Sequence, residues 1–429
     1  MTHLRKWNGE GKPVWIISLM FFAAMFALPV VAEEMEKDLL QRLEFTGSIR
    51  ASGWAHSLSL DQRKDIAVAA FWLKVEPRLG QDTLLVLEGW GMNSDVVQGA
   101  AQKGKIREAY LSSSVGSLDF RIGKQLIIWG KADRFNPTDN LSPRDYTLLV
   151  PEDEDQRLGV NSIKATYNAE ALSVTAIWEP RFNPNILPLP STPGLSFSEF
   201  VRPSNQVALK VEQSGQDVDW SASYFKGADI NPDISLSSFT ANGTFLRLDY
   251  HQIRVLGADA ATVIGQYNLR AEGAYTVTED AVGGNPFVKN PFVYLVVGGD
   301  RTIDDNLNVN LQYFMRRVEN YSDPRAIANP LLQAIAIQSA VVSNQLERFQ
   351  QGLIFRVSDK WINETLEAEV AGVYSFTNQD YVVKPKIIYA FDDHWRGTIG
   401  AALFRGNSET YYGRLRNNST TFIEIKYGF

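Results

Sequence analysis

The sequence predicts an all-β chain: a closed antiparallel transmembrane β-barrel of about 16–18 strands, with short periplasmic turns on one rim and long extracellular loops on the other. Three observations predict it. Segments of roughly ten residues alternate apolar and polar side chains, which puts one set on each face of a strand. Aromatic residues gather near the segment ends, and the connections between segments alternate between short and long.

The first element is not a strand. An apolar run over 14–31 follows Arg5, Lys6 and Lys12 and ends in Val30-Val31-Ala32 before Glu33-Glu34. A basic start, an apolar stretch and small residues before the boundary predict a secretory signal peptide over 1–32. The alternative is an uncleaved anchor, because the run is nearly long enough to span a bilayer. Residues 33–429 are then the barrel domain. Composition agrees: 45% hydrophobic residues, 21% charged and a mean hydropathy of −0.18 are too polar for a helical membrane bundle and too apolar for a disordered chain. With no cysteine, disulfide frameworks, thiolate nucleophiles, zinc-thiolate sites, iron–sulfur clusters and covalent haem are excluded. Four histidines, one of them (His3) in the leader, disfavour histidine-rich metal chemistry. No cofactor and no metal site is expected. A net charge of −7 argues against nucleic acid as a partner.

Strands are expected to begin near Leu43, Ile66, Thr83, Ile106, Leu118, Leu158, Leu172, Val207, Val218, Phe245, Gln266, Pro291, Leu307, Leu346, Thr365, Tyr381, Trp395 and Thr420. Alternation is clear in several. Leu307, Val309, Leu311, Tyr313 and Met315 oppose Asn308, Asn310, Gln312 and Arg316; Leu366, Ala368, Val370 and Tyr374 oppose Glu367 and Glu369. It is weakest over 256–265. Trp90, Trp129, Trp178, Tyr224, Tyr275, Tyr374, Tyr381 and Trp395 are expected in girdles at the membrane surfaces. Connections at 78–82, 113–117, 168–170, 213–216, 304–306, 358–363 and 392–394 are short. Those at 129–156, 181–205, 227–243, 278–291, 318–345 and 405–419 are long. Pro385 conflicts with its strand and predicts a bulge or a strand end. Residues 327–342 predict a short helix after the Asn329-Pro330 turn, and the proline-rich loop at 182–203 a stiff, extended one.

The polar faces carry charge. Arg121, Arg247, Arg270, Glu367, Glu369, Lys384 and Lys386 are expected to line a wet lumen, since a charge facing lipid at mid-membrane costs about 2–4 kcal/mol. If Tyr374 faces Tyr381, register puts Glu369 opposite Lys386. No serine–histidine constellation or phosphate loop is present, so no enzyme is expected; His251 beside Asp249 reads as a lumen-facing polar pair. The acidic run Glu152, Asp153, Glu154 and Asp155 reads as a solvated loop edge, with a weak calcium site as the alternative.

The most distinctive stretch is 127–156, IIWGKADRFNPTDNLSPRDYTLLVPEDEDQ. Trp129, Phe135, Leu141, Tyr146 and Leu148 need burial, which predicts that 129–156 folds into the barrel and narrows it. The terminal TFIEIKYGF resembles the last strand of outer-membrane β-barrel proteins, which the assembly machinery recognises through its final phenylalanine, here Phe429. The architecture resembles that of Gram-negative porins, in which the loop between the fifth and sixth strands forms the constriction. The 127–146 segment is similar to a signature of poorly characterised porin-like proteins. The resemblance implies Lys131, Asp133, Arg134, Asp139, Arg144 and Asp145 as constriction residues, unless four of them (Arg134, Asp139, Arg144, Asp145) pair among themselves to hold the loop's shape. It also implies a bacterial outer-membrane porin that passes small hydrophilic solutes by diffusion, in contact with membrane lipid and lipopolysaccharide. The competing reading is a barrel that sheathes or scaffolds a periplasmic or redox partner or an exported polymer. A homotrimer is one assembly open to such a barrel; the lipid-facing composition does not decide it.

Overall fold

The alternating segments form strands that close on themselves. The computed structural model describes residues 45–56, 65–94, 96, 102–189, 192–202, 204–215, 217–304 and 306–429. The predicted leader, Pro190 and Pro203 lie outside these. In chain order the strands are β1 (Phe45–His56), β2 (Asp65–Val75), β3 (Thr83–Asn93), β4 (Gln102–Val115), β5 (Leu118–Gln125), β6 (Val160–Ala169), β7 (Leu172–Glu179), β8 (Leu195–Phe200), β9 (Gln206–Gln213), β10 (Val218–Ala228), β11 (Asp233–Thr240), β12 (Gly243–Asp249), β13 (Gln252–Ile264), β14 (Tyr267–Val277), β15 (Phe292–Ile303), β16 (Leu307–Val318), β17 (Phe349–Trp361), β18 (Leu366–Ser375), β19 (Asp380–Ala390), β20 (Trp395–Arg405) and β21 (Thr420–Gly428). Eighteen of them pair antiparallel in one sheet. The sheet closes where β21 meets β1, in register from Ser48 opposite Gly428 to His56 opposite Thr420.

Closure leaves an apolar exterior. Every wall strand shows at least one large apolar side chain exposed on its outer face, from Ile49 and Phe71 through Leu209, Leu256, Leu311 and Ile387 to Ile423. A continuous apolar belt of this extent is stable against hydrocarbon and not against water. The inner face carries polar residues at the alternate positions, including Ser162, Ser221, Asp259, Asn310, Gln312, Glu369 and Glu424.

The expected strand near Phe245 is not in the wall. Residues 233–249 form β11 and β12, which pair with each other while β12 also pairs with β8, in a separate three-stranded sheet built from two long loops. The wall strand is β13, over the stretch where alternation is poorest. Within that stretch the inward Gly257 makes room for Thr138, and just ahead of it the inward Ile253 and Val255 are apolar because they pack on Ile127, Trp129 and Leu141 of the inward-folded loop. The loop sheet turns Ile234, Leu246 and Leu248 toward the expected helix, α1 (Pro330–Val342). Asn329 caps α1 by accepting from the backbone N–H groups of Leu331 and Leu332, the usual partner of a helix start. Trp90 and Trp129 are not girdle residues; both are buried inside the barrel. Trp178, Tyr374 and Trp395 are exposed near strand ends. Pro385 forms neither a bulge nor an end. The β19–β20 ladder skips Lys384 and Pro385 and resumes at Lys386 without a change of register.

Candidate pore constriction

The loop joining β5 to β6 runs through the interior, and three kinds of attachment hold it. The first is a carboxylate clamp. Glu272 on β14 accepts hydrogen bonds from the backbone N–H groups of Lys131 (3.0 Å), Ala132 (3.0 Å) and Thr138 (2.8 Å), and from the Thr138 hydroxyl (2.8 Å). Charge-assisted bonds to backbone donors are among the stronger ones. The approach requires glycine at two points. Gly130 has φ +100°, and a Cβ there would stand 2.5 Å from a Glu272 oxygen; a Cβ at Gly257 on β13 would collide with Thr138. Next to the clamp, Asp133 accepts from Arg270 (3.2 Å), Gln312 (2.8 Å) and Asn310, and its own N–H donates to Gln312.

The second attachment is apolar. Phe135 stands edge-on to Phe314, with ring centres 5.6 Å apart. Trp129 and Leu141 pack against Ala208 and Phe225, and Leu148 packs among Trp54, Trp72 and Trp90. These contacts lie on separate sectors of the wall, so the segment traverses the bore instead of hugging one side.

The third attachment is the acidic run. Its four consecutive carboxylates each meet a base: Glu152 meets Lys386 at 2.7 Å, Asp153 meets Lys384 at 2.5 Å and Arg134 at 3.2 Å, Glu154 meets Arg144 at 2.9 Å and Arg157 at 2.5 Å, and Asp155 meets Arg50 at 2.6 Å. The run is thus a bridge from β19 to β1, although Glu152 and Glu154 stay exposed to solvent as expected of a loop edge. Burial works to raise the Asp153 and Glu154 pKa values, but the neighbouring cations outweigh it, so both carboxyls are held below their ordinary range. Asp139 differs: burial dominates and pushes its carboxyl up despite Arg157.

The expected constriction residues separate by exposure. Lys131, Asp133, Arg134 and Arg144 retain solvent-facing surface, with Asp133 at 45%. Arg134 has φ +63°, a costly conformation for a residue with a Cβ, and its guanidinium meets Asp153. Asp139 and Asp145 do not face open space. Asp139 is packed against Arg157 at 2.6 Å, and Asp145, 3% exposed, is held by Lys105 at 2.9 Å. The loop charges therefore pair, but with partners outside the expected set.

The expected lumen residues fall as follows. Glu369 stands opposite Lys386, and Tyr374 opposite Tyr381, in the expected register. Lys386 reaches Glu369 at 3.2 Å, which also meets Arg356 at 2.6 Å. Lys384 binds the acidic run, Arg270 lies between Asp133 and Asp300, and Arg121 stacks over Tyr110. Glu367 is half-buried on the inward face and joins no ion pair among the described residues. Arg247 is displaced: it sits on β12 in the loop sheet, over the Phe200 ring and beside Asp249, because its strand left the wall. Glu272, Lys105 and Arg157 were not singled out as loop anchors in the sequence. The first carries one sequence signal, an acidic residue two positions after Arg270 and so on the same strand face.

Solved structures of similar shape include Acinetobacter baumannii OccAB3 (TM-score 0.55, 9% identity, 90% of this chain and 98% of that one covered). Two from Pseudomonas aeruginosa are OccK5 (OpdH; 0.53, 10%, 90% and 97%) and OccK10 (OpdN; 0.51, 12%, 90% and 99%). At such identities the likeness is one of fold alone, a closed antiparallel β-barrel. No curated protein sequence matches the chain. A family model described as "Protein of unknown function (DUF1302)" matches residues 50–294, more than half the chain, and the protein is therefore a member of the DUF1302 family.

Proposed function

We propose that the protein is an outer-membrane channel through which small hydrophilic solutes diffuse passively, the 1–32 leader directing export and the 33–429 domain forming the pore. The observation that carries this reading is the solvent exposure of inward-facing charge. Arg356 on the inner face of β17 is 54% exposed, and Asp133 on the crossing loop 45%. Ionised groups keep such exposure inside a wall only where the bore is wet. Opposed charges at the loop, Asp133 with Arg270 and Arg134 with Asp153, set a transverse field that sorts solutes by size and dipole. The exposed terminal Phe429 is the proposed handle for barrel assembly. The purified protein, alone in a planar bilayer, is expected to give ohmic steps, and Arg134→Ala with Asp133→Ala to alter step size and ion preference. A folded barrel that stays silent would reject the channel reading.

A further inference from the structure

In most of the bore, base answers acid. Around β5 and β6 it does not. Arg121 and Lys164 are Cα partners across the β5–β6 ladder, both on the inward face. Directly opposed like charges destabilise a sheet, and neither residue forms an ion pair among the described residues. Asp119, two residues from Arg121 on the same face, forms no ion pair among the described residues; its carboxylate accepts from the Ser114 hydroxyl at 2.5 Å and from Asn168 at 2.7 Å. A third base, Lys210 on β9, stands one rung further along; its inner-face neighbour Thr175 is hydrogen-bonded to Thr166 across β6–β7. Its partner Glu212 is shared between Lys210 (2.8 Å) and Lys131 of the crossing loop (3.8 Å). That last contact ties this patch to the constriction. The opposition recurs where Lys426 on β21 faces Arg396 on one side and Arg50 on the other; there Asp155 answers Arg50 alone.

We propose that Arg121, Lys164 and Lys210 form an anion-binding subsite beside the constriction, and that the solutes of this channel are small anions bearing two or more negative oxygens. The proposal rests on the channel reading above. Two cations held side by side match a phosphate or a dicarboxylate, whose arrival removes the repulsion between them. A monovalent cation meets the same pair as a barrier.

The test is reversal potential and block in planar bilayers under a KCl gradient. The wild-type channel is expected to favour chloride over potassium, and phosphate or succinate in the millimolar range to reduce its current. In Arg121→Gln/Lys164→Gln the chloride preference falls about threefold or more, and block weakens in proportion. Arg121→Lys/Lys164→Arg, which keeps both charges, retains the preference. Resistance to SDS without boiling checks that each variant has folded. Block by only one of phosphate and succinate names the oxyanion chemistry the subsite accepts. Unchanged selectivity and block in the folded Gln variant, or a wild-type channel that conducts but is blocked by neither anion, overturns the subsite and leaves the channel reading standing. A silent wild type overturns that reading instead.

Discussion

At Glu272 one side chain organises a turn of the crossing loop. Four donors from Lys131, Ala132 and Thr138 converge on its carboxylate. Glu272→Ala is expected to destabilise the folded barrel by about 2–4 kcal/mol, because buried donors are left unpaired. The released segment should also make the open current noisier. Glu272→Gln keeps one acceptor oxygen and should fall between wild type and Ala. Gly130→Ala tests the same contact from the loop side, since its added carbon meets Glu272 at a positive φ. Urea unfolding from vesicles gives the stabilities, and single-channel recording gives the noise.

The acidic run works as an element, because four successive carboxylates reach cations on β19, β1 and the loop itself. Asp153 and Glu154 have pKa values held below the ordinary 3.8 and 4.5. A depressed carboxyl contributes its full stabilisation above its ordinary pKa and loses it as pH falls through the lower folded value. The loop is therefore expected to stay latched from neutrality down to about pH 5 and to loosen only in stronger acid, below about pH 4. Open-channel noise recorded against pH checks this. Asp153→Asn should bring the loosening to neutral pH. The elements also show what local sequence can disclose. The β18–β19 register was legible, since a tight hairpin fixes which residues face each other and Tyr374 had an evident partner in Tyr381. The partners of the acidic run were not, because Lys384 and Arg50 lie far away in sequence and only the loop's path across the bore brings them close.

At the scale of the whole molecule the fold was legible because lipid outside and water inside impose opposite demands on alternate residues. Leu311 beside Asn310 and Gln312 shows the rule plainly. It failed at β13, where Ile253 and Val255 face inward onto the loop, and the wet side of the wall became a packing surface. It failed again at Phe245 and Arg247, whose strand alternates as cleanly as a wall strand because it too has one apolar face, turned toward α1. Charge on an inward loop suggests a lining, whereas Asp139 and Asp145 are packed against Arg157 and Lys105. The belt itself can be tested. Leu311→Arg should cost about 2–4 kcal/mol in vesicle-based unfolding if that position faces mid-membrane; a neutral result would take β16 out of the lipid.

The crossing loop has a mechanical meaning as well. A thin hoop of eighteen strands resists flattening only through the stiffness of its own curve. Here a strut is fastened to β14 and β16 at one end and to β19, β1 and β4 at the other. Squeezing the hoop into an oval must shear those fastenings together, so the aperture and the girth of the cylinder can only change as one.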